Sequence, residues 1–185
     1  LNGSCLTMTV RLGVVSFLNS RPLVHSLQHD ARFTLTYSVP SRCAVDLQMR
    51  QSDVGLIPSI EYARSADPYK IVPKLAIAAT GPVLTVRLYH AMPLDEVRRV
   101  ALDTSSRTSA SLVKILLRER YGFEPVWVDA APDLSAMLET ADAALLIGDS
   151  VFGELNNGLP SIDLAAEWKE HTGLPFVFAF WAGYA

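Results

Sequence analysis

The chain has 185 residues, of which 50% are hydrophobic and 19% are charged, and its net charge is -3. This composition is typical of a folded protein with a sizeable core and excludes a disordered or low-complexity chain. Nucleic-acid binding is not expected, because phosphate recognition needs clustered Lys and Arg.

The two cysteines, Cys5 and Cys43, lie in no Cys-x-x-Cys pattern. We therefore expect free thiols in a reducing, cytoplasmic setting, with no disulfide and no structural zinc site. Cys43 falls on the apolar face of a predicted helix and is expected to be a buried, inert thiol. No apolar run reaches the roughly 18 residues of a membrane span. Residues 1–7 are interpreted as a ragged start, with Met8 as the initiator and no intact signal peptide.

The first half of the chain alternates between strand-like and helix-like segments. Strands are predicted over residues 10–16, 34–39 and 53–57, which are alternating or continuous apolar runs. Helices are predicted over residues 22–28, with Pro22 in the first turn, and 41–50, with Ser41 as N-cap.

The second half repeats strand–helix–strand units after an alternating strand at residues 83–89. Strands are predicted over residues 100–102, 126–128, 143–147 and 176–182, and helices over 108–120, 133–139 and 163–171. This succession predicts an α/β fold with a largely parallel sheet covered by helices, and a lobe boundary near residues 88–95. The sequence stops after an apolar strand, so we expect a further covering segment.

The densest polar patch is residues 103–109 (DTSSRTS), between a predicted strand and a predicted helix. Hydroxyls and free backbone N–H groups at a helix start suit a bound carboxylate, and Arg107 can add a bidentate contact. The alternative is that Ser and Thr simply cap the helix.

Three further polar positions follow predicted strands, where ligands of α/β sheets gather. They are Asn19 in the loop 16–23, Ser59 after Pro58, and Asp149 after Gly148. Each has a plain alternative, a turn or a local bond to backbone. No glycine-rich nucleotide loop and no nucleophile elbow occurs, which argues against nucleotide cofactors and acyl-transfer hydrolases.

Several of these segments together resemble the chorismate dehydratases of the futalosine route to menaquinone. The resemblance is carried by residues 18–23 (LNSRPL), 53–62 (DVGLIPSIEY), 81–86 (GPVLTV), 106–109 (SRTS), 147–149 (IGD), 163–168 (DLAAEW) and 172–179 (TGLPFVFA). Their order and spacing match from residue 10 to the end.

The resemblance implies a two-lobed fold of the type II periplasmic-binding-protein kind. It places lobe one at residues 8–90, lobe two at 91–178 and a return strand toward lobe one at 179–185. It also implies that a C-terminal part completing lobe one is missing.

The implied activity is that of a hydro-lyase that converts chorismate to 3-[(1-carboxyvinyl)oxy]benzoate and water without metal or cofactor. The family's catalytic Asn corresponds to Asn19, and its catalytic Ser to Thr85, which we expect to face Asn19 from the same lobe. The carboxylate site corresponds to Ser106, Arg107, Thr108 and Ser109, with Ser59 and Asp149 also lining the cleft. No side chain of this set is a good base at neutral pH, so we hypothesise that a substrate carboxylate takes the ring proton.

Two other functions stay open on the sequence. A solute-binding protein for a small anionic ligand shares the fold but would require export. The related 1,4-dihydroxy-6-naphthoate synthase shares both fold and pathway. The sequence predicts a small dicarboxylate partner, no nucleic acid and no membrane, and does not predict the oligomeric state.

Overall fold

Two five-stranded β-sheets make up the fold, which a computed structural model describes for residues 9–184. The first sheet contains β1 (Val10–Val15), β2 (Phe33–Ser38), β3 (Val54–Pro58), β4 (Lys70–Ala79) and β10 (Phe176–Gly183). The second contains β5 (Val86–His90), β6 (Arg99–Asp103), β7 (Val126–Ala130), β8 (Ala143–Ile147) and β9 (Ser161–Asp163). The expectations for residues 1–7, Cys5 and Met8 lie outside the described residues.

Six α-helices cover these sheets within the described range. They are α1 (Arg21–Val24), α2 (Pro40–Gln48), α3 (Ser59–Arg64), α4 (Thr108–Glu119), α5 (Leu134–Leu138) and α6 (Leu164–Thr172). Short 3-10 helices occupy Leu18–Ser20, His25–Leu27, Leu94–Glu96 and Gly148–Glu154. Between residues 9 and 184, no helix is long and apolar enough to cross a membrane.

Each sheet is half parallel and half antiparallel, which corrects the expectation of a largely parallel sheet. The spatial orders are β2-β1-β3-β10-β4 and β7-β6-β8-β5-β9. Strands β1, β2 and β3 run parallel, as do β6, β7 and β8, because helices connect them as successive crossover units. Strands β5 and β10 pair antiparallel to their neighbours, because the chain enters each of them from the other sheet.

The chain passes between the sheets twice, after Ala79 and after Thr172. Strand β5 pairs with β8 and β9, so residues 86–90 belong to the second sheet and not to the lobe that the sequence assigned to residues 8–90. Strand β10 joins the first sheet from residue 176 onward. An alternating pattern reports that one face of a strand is buried, but not the sheet in which the strand pairs.

Helix starts follow local chemistry that the sequence only partly revealed. Asp163 caps α6, and Asp133 caps α5 by accepting the backbone N–H of Ala136 at 3.1 Å. Helix α2 starts at Pro40 after Val39, so Ser41 is not its N-cap. The Ser41 N–H instead donates to the carbonyl oxygen of Ser105 at 3.1 Å, which ties the two lobes together.

Each sheet has its own apolar core. Leu56 and Trp181 lie in the first core with Cys43, which is fully buried, as the sequence predicted. Burial raises the pKa of the Cys43 thiol to about 12, so it stays protonated at neutral pH. Leu88 and Leu145 lie in the second core, against the inner face of α4.

Candidate functional site

A cavity lies between the lobes, at the carboxyl ends of the parallel strands of both sheets. Its walls are apolar on several sides, from Phe17, Ile77, Val83 and Phe178. Polar atoms enter from the start of α4, from Asn19 and from Thr85. This is the place where α/β sheets bind ligands, and the arrangement suits a molecule with an apolar ring and an anionic end.

The start of α4 presents hydroxyls and N–H groups to the cavity. Ser106, Arg107, Thr108 and Ser109 all line it. The Ser106 hydroxyl oxygen accepts the Ser109 N–H at 3.2 Å, so Ser106 does cap the first turn. Among the described residues, the N–H groups of Arg107 and Thr108 have no hydrogen-bond partner. The segment therefore caps its helix and still offers two donors to an anion.

Asp103 stabilises this segment through hydrogen bonds to Ser105. Its carboxylate accepts the Ser105 N–H at 2.8 Å and the Ser105 hydroxyl at 2.6 Å. Asp103 is 1% exposed, and burial raises the pKa of its carboxyl. This role of Asp103 could not be predicted from the sequence, because nothing in the pattern shows that its side chain turns back into the loop.

Arg107 is paired with a residue that the sequence analysis overlooked. Its Nη1 lies 2.8 Å from Oε2 of Glu61, an ion pair that joins α3 of the first lobe to α4 of the second. Arg64 donates to the Ser111 hydroxyl at 3.3 Å in the same contact. Arg107 thus lines the cavity while one nitrogen of its guanidinium is held by Glu61 of the opposite lobe.

Ser59 is placed in this contact between the lobes and not on the cavity wall. Its hydroxyl donates to the carbonyl oxygen of Val177 at 2.8 Å and lies 3.4 Å from the Thr108 hydroxyl. The Thr108 hydroxyl oxygen also accepts the Ile60 N–H at 3.4 Å. Ser59 was expected to line the cleft and bind substrate. In the structure its hydroxyl instead donates to a backbone carbonyl in the contact between the lobes.

Asn19 lines the cavity from the Leu18–Ser20 turn of the first lobe. Its side-chain amide makes no hydrogen bond to another described residue, so both its donor and its acceptor are available. The Ser20 hydroxyl fixes the turn by donating to the carbonyl oxygens of Val15 and Phe17. The loop therefore places Asn19 on the cavity wall.

Asp149 holds this loop and does not line the cavity. Its two carboxylate oxygens accept the Leu18 N–H at 3.0 and 3.1 Å. Asp149 was expected at the substrate. In the structure its carboxylate instead accepts the backbone N–H of the residue before Asn19.

Thr85 lines the cavity from the start of β5, and thus from the second lobe. The expectation that Asn19 and Thr85 share a lobe is therefore corrected, since β5 pairs only within the second sheet. The Thr85 N–H donates to the Val83 carbonyl oxygen at 2.7 Å around Leu84, whose φ is +62°. The Thr85 carbonyl oxygen in turn accepts the Gly148 N–H at 2.8 Å. Asn19 and Thr85 thus line the cavity from opposite lobes.

A family model described as menaquinone biosynthesis matches residues 10–183. The chorismate dehydratase of Thermus thermophilus is 32% identical over 188 residues, which cover 92% of this chain and 68% of that protein. The chorismate dehydratase of Campylobacter jejuni is 31% identical over 175 residues, covering 90% of this chain and 64% of the relative. The chain spans about two thirds of the length of these relatives.

Two solved structures show the same fold at low sequence identity. Protein AF1704 of Archaeoglobus fulgidus superposes with a TM-score of 0.73 at 21% identity, over 95% of this chain and 67% of that one. The periplasmic aliphatic sulphonate binding protein SsuA of Escherichia coli gives a TM-score of 0.60 at 13% identity, over 95% and 65%. The predicted two-lobed α/β fold of the periplasmic-binding-protein kind is confirmed. With its sequence matched from residue 10 to residue 183, the chain belongs to the menaquinone-biosynthesis family of chorismate dehydratases, a family of hydro-lyases.

Proposed function

We propose that this chain dehydrates chorismate to 3-[(1-carboxyvinyl)oxy]benzoate in menaquinone biosynthesis. The observation that carries the proposal is the cavity between the lobes, which brings the N–H-rich start of α4 together with Asn19 and Thr85. Chorismate is a dicarboxylate with a ring hydroxyl. Its site therefore needs hydrogen-bond donors for a carboxylate at one end and hydrogen-bonding side chains next to the hydroxyl.

The start of α4 is proposed to bind one carboxylate of the substrate. The N–H groups of Arg107 and Thr108, with the guanidinium of Arg107, supply charge-assisted donors, and the helix start adds a positive potential. Phe17 and Phe178 are placed to enclose the ring. Binding at both ends holds the substrate in one orientation, which lowers the entropic part of the barrier.

The dehydration itself breaks one C–H and one C–O bond, and the proton and hydroxide leave as water. Of the described residues that line the cavity, Arg107 alone is charged, so no cavity-lining carboxylate or imidazole is on hand as general base. We assign proton removal to a carboxylate of the substrate. Asn19 and Thr85 orient the leaving hydroxyl from opposite lobes, and aromatisation of the ring drives the step.

Incubation of the purified chain with chorismate tests the proposal, with the aromatic product followed by chromatography and mass. Asn19→Ala and Thr85→Val should each lower kcat by about 100-fold or more, as expected for loss of a polar group that acts on the leaving group. Asn156→Ala and Thr104→Val are matched controls, because both residues are exposed and outside the cavity, and they should turn over like the wild type. Wild-type rates in Asn19→Ala and Thr85→Val together would refute the assignment.

The same incubation separates the alternatives. Chorismate that is retained unchanged on the protein would favour a binding protein for a small anion, for which the carboxylate site at α4 is equally suited. Chorismate that neither binds nor reacts, with 1,4-dihydroxy-6-naphthoate formed by the chain from another intermediate of the pathway, would favour the naphthoate synthase. Cytoplasmic location is part of the proposal, supported by the free, buried Cys43, and cell fractionation with an antibody tests it.

A further inference from the structure

Asp163 connects the first turn of α6 to the turn that carries Thr85. One carboxylate oxygen, Oδ1, accepts the N–H groups of Ala165 and Ala166 at 3.0 and 3.1 Å. The other, Oδ2, accepts those of Val83 and Leu84 at 3.0 and 2.8 Å. A helix cap needs only one oxygen. The second oxygen of Asp163, a residue that is only 9% exposed, therefore binds a segment about 80 residues earlier in the chain, with Arg87 Nη1 4.0 Å away.

The segment that it holds has an unfavourable backbone conformation. Leu84 has a φ of +62° although it is not glycine, and the Thr85 N–H closes a three-residue turn onto the Val83 carbonyl at 2.7 Å. Such turns are rare and strained. The Leu84 side chain is 55% exposed, so its own packing does not hold this residue at positive φ. The two hydrogen bonds to the buried Oδ2 of Asp163 stabilise it, together with the Gly148 N–H that donates to the Thr85 carbonyl oxygen.

We propose that Asp163 is a positioning residue for the reaction, acting through Thr85. This inference rests on the proposed function, because it assigns a role to Thr85 in that reaction. The Thr85 hydroxyl donates to the Val83 carbonyl oxygen at 3.3 Å, so its direction follows the turn. If the turn relaxes, the hydroxyl moves relative to Asn19 on the opposite lobe, while the carboxylate site at α4 is left in place.

Asp163→Asn is the principal test. Asn caps helices nearly as well as Asp, so α6 keeps its cap, but the amide has one acceptor oxygen and cannot serve both N–H pairs. We expect kcat for chorismate to fall about tenfold or more while KM changes less than about threefold, as for loss of an interaction needed in the transition state. Asp133→Asn is the matched control, because Asp133 caps α5 and does not line the cavity. A wild-type kcat in Asp163→Asn would overturn the inference.

A second substitution tests whether Asp163 acts on Thr85 through the turn at residues 83–85. Glycine adopts positive φ without strain, so Leu84→Gly makes the turn less dependent on Asp163. The double variant Leu84→Gly/Asp163→Asn should recover part of the lost kcat, and Leu84→Ala/Asp163→Asn should not. Equal loss in both double variants would contradict the proposed role. If Asp163→Asn does not fold, Asp163→Ser replaces it, since serine caps α6 with a single oxygen.

A spectroscopic readout keeps this inference separate from the proposed function. The 13C-methyl signal of Thr85 should shift in Asp163→Asn and stay in place in Asp133→Asn. A wild-type chain that forms no aromatic product refutes the proposed function. A Thr85 signal unchanged by Asp163→Asn refutes the positioning role, whatever the wild-type activity.

Discussion

The carboxylate of Asp149 in the second lobe accepts the backbone N–H of Leu18 in the first lobe, at 3.0 and 3.1 Å to its two oxygens. Leu18 directly precedes Asn19, which lines the cavity. The contact therefore fixes the loop of one lobe against the other at the point where the proposed reaction takes place. It also explains why Asp149 is absent from the cavity wall even though it follows a strand end.

Asp149→Ala should lower kcat by about tenfold, because the lost charge-assisted bond lets the Asn19 loop move relative to Thr85. Steady-state kinetics with chorismate measures the effect. Asp142→Ala is a matched control: Asp142 also accepts two backbone N–H groups, those of Arg98 and Arg99 at 2.9 and 2.8 Å, but does not line the cavity. An equal fall in kcat in both variants would mean that a general loss of rigidity in the protein, and not movement of the Asn19 loop, lowers the rate.

The elements themselves could be predicted well from the sequence. The predicted strand over residues 143–147 matches β8, and the helix predicted from residue 108 begins at Thr108, because apolar runs and 3.6-residue spacing are local signals. Strand β4 was not predicted, since Lys70–Ala79 is an edge strand whose side chains are mostly exposed. The lobe that takes up β5 was also misplaced, because pairing partners are set by the whole fold and not by the strand's own residues.

The candidate site could be predicted in outline only. Strand ends and the polar segment 106–109 located the cavity, because parallel strands share one ligand-binding edge. The partners of the polar groups could not be read from the pattern. Glu61 meets Arg107 across the lobes and Asp163 reaches a turn about 80 residues earlier, so these roles depend on tertiary structure.

Opposite effects on KM are expected from the two halves of the Glu61–Arg107 pair. Arg107→Ala removes a cation from the cavity wall and should raise KM for chorismate by about 10- to 100-fold, the range for a hydrogen bond to a charged group. Glu61→Gln removes a negative charge 2.8 Å from the same guanidinium and should lower KM by about two- to fivefold. Both changes should shrink at high salt.

Asp53→Asn is the control for this pair. It breaks an ion pair of similar geometry, Arg11–Asp53 at 2.6 Å, which does not line the cavity. Its KM should equal that of the wild type. A higher KM in Glu61→Gln would show that Glu61 orients Arg107 for the substrate more than it competes with the substrate.

The buried carboxyl of Asp103 should make the free energy of unfolding depend on pH. Burial raises the pKa of its carboxyl above the ordinary value of about 3.9 that holds in the unfolded chain. Between that value and the folded-state pKa, the native protein binds a proton that the unfolded chain has released, so this group lowers stability as pH rises. Asp103→Asn cannot ionise and keeps an oxygen for Ser105. Its free energy of unfolding relative to wild type should therefore increase as pH rises above about 4 and level off above the folded-state pKa of Asp103.

Urea unfolding at a series of pH values measures the difference in free energy of unfolding between Asp103→Asn and wild type. Asp30→Asn is a comparison variant for which the difference should change with pH in the opposite direction. Hydrogen bonds from Arg32 lower the pKa of the Asp30 carboxyl to about 2, so its contribution to stability is present above the unfolded pKa and is lost as pH falls toward 2. Asp30→Asn should therefore lose stability relative to wild type as pH rises, by a small amount because the pair is at the surface. A difference that does not vary with pH for Asp103→Asn would contradict the buried-carboxylate argument.

Gly148 is the point where a side chain would push the Asn19 loop out of place. Its φ is +65°, and a Cβ built there lies 2.7–2.8 Å from the ring of Phe17, two residues before Asn19. Gly158 has a φ of +80° but no atom within 4 Å of its built Cβ. Gly158→Ala should therefore cost about 1–2 kcal/mol from backbone strain alone and leave kcat unchanged. Gly148→Ala should lower the free energy of unfolding by more than Gly158→Ala does, which thermal unfolding measures. It should also lower kcat, because Phe17 must move. Equal destabilisation and equal kcat in the two variants would show that the contact between Phe17 and Gly148 has no bearing on the loop.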